Sequence, residues 1–161
     1  MMSCVLVLLA VLEGFDVGPT LGALVPIQED DDPWRVSFLL GIRGVYQLPV
    51  FDLEGDFQLS PLQIDPDSSQ GYDYSLVALT AGIRKDAIGL SFSGGPALYH
   101  VEARKDLGEG LESYWEGSFG GMYVQLGKCF GVNPLLFDLS CRFNVINFEG
   151  VWTGLSLSAL I

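Results

Sequence analysis

Phe51-Asp52-Leu53-Glu54-Gly55-Asp56-Phe57-Gln58-Leu59-Ser60 sorts its side chains into two sets with a period of two. Phe51, Leu53, Gly55, Phe57 and Leu59 point one way, and Asp52, Glu54, Asp56, Gln58 and Ser60 point the other. Successive Cβ atoms alternate across a strand, and no helical spacing separates these residues so cleanly. The stretch is a strand with one apolar face and one charged face. Which face looks outward decides the fold. In a soluble sheet the acids meet water; in a membrane barrel they meet the lumen and the apolar face meets lipid.

The same alternation runs outward from this stretch in both directions. Upstream, Phe15, Val17, Pro19, Leu21, Ala23 and Val25 oppose Asp16, Gly18, Thr20 and Gly22. Next, Trp34, Val36, Phe38, Leu40 and Ile42 oppose Arg35, Ser37, Gly41 and Arg43, with a turn at Gln47-Leu48-Pro49. Downstream, strands are read over about 72–84, 87–104, 112–128, 135–146 and 151–161, with turns at Arg84-Lys85-Asp86 and near Gly131–Pro134. Gly94-Gly95-Pro96 reads as a bend or bulge in the fifth strand. Eight strands with no helix between them form an antiparallel up-and-down meander, long enough to close into a barrel.

The totals favour lipid outside. Of 161 residues, 49% are hydrophobic and only 17% charged, where charged residues usually supply about a quarter of a soluble domain. Mean hydropathy is +0.36, yet no apolar run approaches the ~20 residues of a spanning helix. The apolarity is therefore spread in alternation. A net charge of −12 opposes nucleic-acid binding, because phosphates would be repelled.

Polar residues on the inward set must then pair with one another, since an eight-stranded barrel is filled by side chains. Projection across the turns sets Arg43 opposite Asp52 or Glu54, and across the first loop near Asp16. Arg84 projects near Asp52, and Asp138 and Arg142 share one face. The expected interior charge network is Asp16, Arg35, Arg43, Asp52, Glu54, Asp56, Arg84, Asp138 and Arg142. Trp34, Tyr72, Tyr74, Trp115 and Trp152 mark the starts of even strands and read as an interfacial girdle at one rim. That rim also carries the longer, acidic connections.

FDVGPTLGALVPI, WRVSFLLGIRGVYQLPVFDLEGDFQLSP, FDLSCRFNVIN and VWTGLSLSALI together resemble the small outer-membrane β-barrels of the OmpA/OmpX-like type over residues 15–161. The resemblance implies an all-β, eight-stranded antiparallel up-and-down transmembrane β-barrel in a Gram-negative-type outer membrane. It implies contact with outer-membrane lipid, insertion by the barrel-assembly machinery and a packed polar lumen. Residues 1–13 read as a signal-peptide remnant, with an eight-residue apolar run from Val5 to Leu12, and 14–161 as the barrel. The family's last strand usually ends in an aromatic residue; here it ends in Ile161.

Candidate chemistry is sparse. His100 is the single histidine, and no serine lies within two residues of it, so no catalytic pair is expected. Asp65, Asp67 and Ser69 imitate half a calcium loop, but Gln70 and Leu76 replace its glycine and closing carboxylate, so no metal or cofactor is expected. Cys129 and Cys141 fall several residues out of register across their turn, beyond disulfide reach. The function expected is a monomeric structural or surface-interaction barrel whose acidic loops meet an external partner. A narrow solute conduit or a soluble lipocalin-like carrier is the alternative.

Overall fold

The computed structural model describes residues 14–27, 36–62, 72–106, 111–132, 135–146 and 150–161. Eight strands follow in chain order: β1 (Phe15–Pro26), β2 (Ser37–Gln47), β3 (Asp52–Leu62), β4 (Tyr72–Ala87), β5 (Leu90–Asp106), β6 (Leu111–Val132), β7 (Leu135–Ile146) and β8 (Gly150–Leu160). Each pairs antiparallel with its sequence neighbours, and β1 pairs with β8 from Thr20↔Ser158 to Pro26↔Trp152, which closes the barrel. The expected fold is the one observed. Residues 1–13, read from the sequence as a signal remnant, and the Asp65–Gln70 loop lie outside the described residues.

Side-chain burial is inverted relative to a soluble sheet. Along β3, Glu54, Asp56, Gln58 and Ser60 are buried while Leu53, Phe57 and Leu59 are exposed. On β7, Asp138, Ser140, Arg142 and Asn144 are buried, with Leu139 and Phe143 exposed; on β8, Ser156 and Ser158 alternate with exposed Leu155 and Leu157. An apolar belt far larger than a soluble monomer tolerates therefore circles the outside.

The turns differ from their sequence reading in ways that move side chains. The β2–β3 connection is Leu48–Phe51, later than expected, so Arg43 stands opposite Asp56, beyond Asp52 and Glu54. β4 runs on through Arg84, Lys85 and Asp86 to Ala87, and the turn is Ile88-Gly89. Both turn residues have positive φ (57° and 75°), as a two-residue hairpin turn of matching twist demands. Gly94-Gly95 does not break the register, which is the same at Thr80↔Ala97 and Ile83↔Gly94. Here glycine permits close approach: a Cβ on Gly95 would lie 2.1 Å from the Ala81 carbonyl oxygen. The bulge falls at Ala103/Arg104, opposite Trp115 and Ser113.

The lumen has two halves. Toward the short turns it is polar and charged. Toward the long connections, Leu24, Leu39, Leu62, Leu76, Ala78, Ala97, Tyr99 and Tyr123 form an apolar cluster. Among the described residues, a cavity of ≈ 10 Å³ is lined by this cluster, room for about one water.

Candidate functional site: a neutral charge plug and an outer-face His–Ser pair

Six ionised side chains fill the turn-side half of the lumen: Arg43, Arg84 and Arg142 against Glu54, Asp56 and Asp138. All are between 0% and 3% exposed. Three positive and three negative charges leave the plug formally neutral, which buried ions require. Arg43 Nε donates to Asp56 Oδ1 at 2.8 Å, and Arg142 Nη2 donates to Asp56 Oδ2 at 2.5 Å. Gln125 Oε1 accepts from both Arg43 Nη2 (3.0 Å) and Arg142 Nε (2.8 Å), tying β2, β6 and β7 together.

Arg84 bonds Asp138, lies 3.4 Å from Glu54 Oε2 and donates to Cys129 Sγ at 2.6 Å. Asp138 also faces Arg43 Nη1 at 3.4 Å. Ser93 Oγ donates to Glu54 at 3.0 Å, and the Arg142 guanidinium sits 4.4 Å over the Tyr123 ring, a cation–π contact. The plug braces six strands through one shared network. Two buried oxygens, Ser91 Oγ and Asp138 Oδ1, take no bond within it.

Two described members of the sequence-derived network stand elsewhere. Asp52 is in register with Arg84, but its carboxylate accepts the Leu48 N–H at 3.3 Å and so caps the turn. Asp16 accepts from Gln47 Nε2 at 2.8 Å. Both line a mouth cavity of ≈ 260 Å³ at the turn end, with Arg84 and Asp86. Arg35 lies outside the described residues.

The girdle reading needs correction. Tyr74 and Trp152 pack against the luminal apolar cluster. Their strands place even-numbered residues inside, as buried Leu76, Ala78, Ser156 and Ser158 show. An aromatic at a strand start was legible; its side was a matter of parity, which the aromatic itself does not reveal. Trp34 lies outside the described residues, as do the side chains of Tyr72 and Trp115. Cys129 and Cys141 pair with Asp138 and Leu126 and are both free thiols, as their register required.

Sequence proximity missed one contact. His100 pairs with Ser118 across the β5–β6 hairpin, and His100 Nδ1 lies 3.0 Å from Ser118 Oγ. The bulge at Ala103/Arg104 brings this about: the pairing beyond it, continued without a shift, would set His100 opposite Gly117. Projection across the loop would have found the neighbourhood, though not the residue.

Solved structures that share this fold include three of small barrels. Neisserial surface protein A is 17% identical with a TM-score of 0.63, covering 92% of this chain and 96% of its own. Ail, the attachment invasion locus protein of Yersinia pestis, is 16% identical with a TM-score of 0.59, covering 91% and 95%. The N-terminal β-barrel domain of Pseudomonas aeruginosa OprF is 13% identical with a TM-score of 0.58, covering 91% and 97%. No protein-family model and no curated sequence matches the chain. The chain has the fold of the small eight-stranded barrels.

Proposed function

We propose that this chain is an outer-membrane β-barrel with a structural or surface-interaction role, its loops facing outward and its short turns facing the periplasm. The inverted burial carries the reading: an apolar belt surrounds a lumen filled by paired ions, an arrangement that water on the outside would penalise and lipid rewards. Assembly machinery would insert it, and a single closed barrel needs no second copy.

The plug argues against the conduit alternative. Three arginines and three carboxylates cross-brace the lumen where a solute would pass, and the cavity lined by the apolar cluster above them holds about one water. A lipocalin-like carrier would need an apolar, roomy lumen.

The acidic composition points to the kind of partner. One solved structure of Ail contains the heparin analogue sucrose octasulfate; with a net charge of −12, this chain would repel such a polyanion and suits a cationic partner.

Folding residues 14–161 in buffer, in detergent and in phospholipid vesicles tests the membrane reading. Folding only with detergent or lipid, with heat-modifiable gel migration, is the expected result. A hydrophilic monomer folded in buffer alone would overturn it.

A further inference from the structure

Outer-face residues of β4, β5 and β6 fall into rows set by the registers. Leu79, Leu98 and Gly120 form one row; Val77, His100 and Ser118 the next; Ser75, Glu102 and Glu116 the next; Asp73 and Arg104 the last. Leu79 and Leu98 are exposed apolar residues of the belt, whereas the two rows above His100 are polar. Successive rows are about 7 Å apart along the strands. The hydrogen-bonded His100–Ser118 pair therefore sits at the upper boundary of the apolar belt. In a membrane-spanning barrel, this is the depth at which acyl chains join lipid headgroups.

Three further observations fit chemistry at that position. Ser118 Oγ and His100 Nδ1 are at hydrogen-bond distance, the geometry of a nucleophile and its general base. Below Ser118 on the same face, the space over Gly120 is open, with no atom within 4 Å of where a Cβ would stand. That leaves a notch against the wall for an acyl chain. β7 pairs with β6 only from Gly121 downward, so among the described residues Ser118 has a paired strand on one side only.

We propose that His100 and Ser118 are the catalytic pair of a hydrolase acting on ester-linked acyl chains of membrane lipid. Ser118 Oγ attacks the acyl carbonyl carbon and passes its proton to His100 Nδ1. The ester C–O bond breaks, and the departing lipid alkoxide takes that proton. Water from the headgroup layer then gives a proton to His100 and attacks the acyl-serine carbonyl. Ser118 regains the proton as the fatty acid leaves.

The proposal rests on the membrane reading, and its test separates the two. Wild-type protein, Ser118→Ala and His100→Ala are inserted into phospholipid vesicles with labelled acyl esters, with and without added lipopolysaccharide. Insertion is checked first by heat-modifiable migration, whose failure would count against the membrane reading itself. For inserted protein, fatty-acid release above protein-free vesicles in at least one arm is expected, falling to that background in both variants. A fluorophosphonate probe should label Ser118, read by peptide mass spectrometry. Inserted wild-type protein that releases no fatty acid in either arm, or release that persists in Ser118→Ala, would overturn the proposal.

Discussion

The two halves of the lumen solve the same packing problem with opposite chemistry. The turn-side half is filled by six ions bonded across β2, β3, β4 and β7. The loop-side half is filled by leucine, alanine and tyrosine. Removing one ion strands its partners, while removing one leucine leaves a local gap. The charged half should therefore respond to mutation as a network and the apolar half residue by residue.

The largest effect should come from Asp56, which accepts from Arg43, Arg142 and Thr80. Asp56→Leu is expected to cost about 3–5 kcal/mol, the range for an ion left buried without its partner. Urea-dependent folding in detergent or lipid vesicles measures it. Adding Arg43→Met should restore part of that loss, with a coupling of about 1–3 kcal/mol in the double-mutant cycle. Strict additivity would show that Arg43 and Asp56 are energetically independent despite their 2.8 Å contact.

In the apolar half, Leu24→Ala should cost about 2–3 kcal/mol, at the lower end for a buried leucine, and should be additive with Asp56→Leu. Coupling between them would mean that the halves are one unit. Gly127→Ala probes the two unbonded oxygens, since its Cβ would lie 2.5 Å from Ser91 Oγ and 2.6 Å from Asp138 Oδ1. Both are side-chain atoms able to shift, so a cost of about 1–2 kcal/mol is expected, within the overpacking range. The smallest effects belong to the rim and the belt. Asp52→Leu should lose about 1 kcal/mol with the Leu48 cap, and lipid-facing Leu53→Ala less. A larger loss at Leu53 than at Asp56 would reverse the inside and outside of the barrel.

Period two made the faces legible along β3, because every second residue from Asp52 to Ser60 is polar and a one-residue slip would turn them all outward. Pairing partners were less legible, because register depends on where a turn begins. Displacing the β2–β3 connection to Leu48–Phe51 moved Arg43 from Glu54 to Asp56, and Arg142 reaches Asp56 across the lumen, a distance that sequence does not encode. Trp152 and Ser118 show two further limits. An aromatic fits either side of a rim, and a bulge changes the count without leaving a compositional mark.

Closure between β1 and β8 has a kinetic consequence. Thr20 and Ser158, whose hydroxyls meet at 2.8 Å, are 138 residues apart in sequence. Ring formation must therefore meet the entropic demand of joining nearly the whole chain, which makes it a late event in folding. Until it occurs, β1 and β8 are open edges able to pair with other chains. A chaperone that shields those edges during transit would protect this protein more than one that covers its apolar belt.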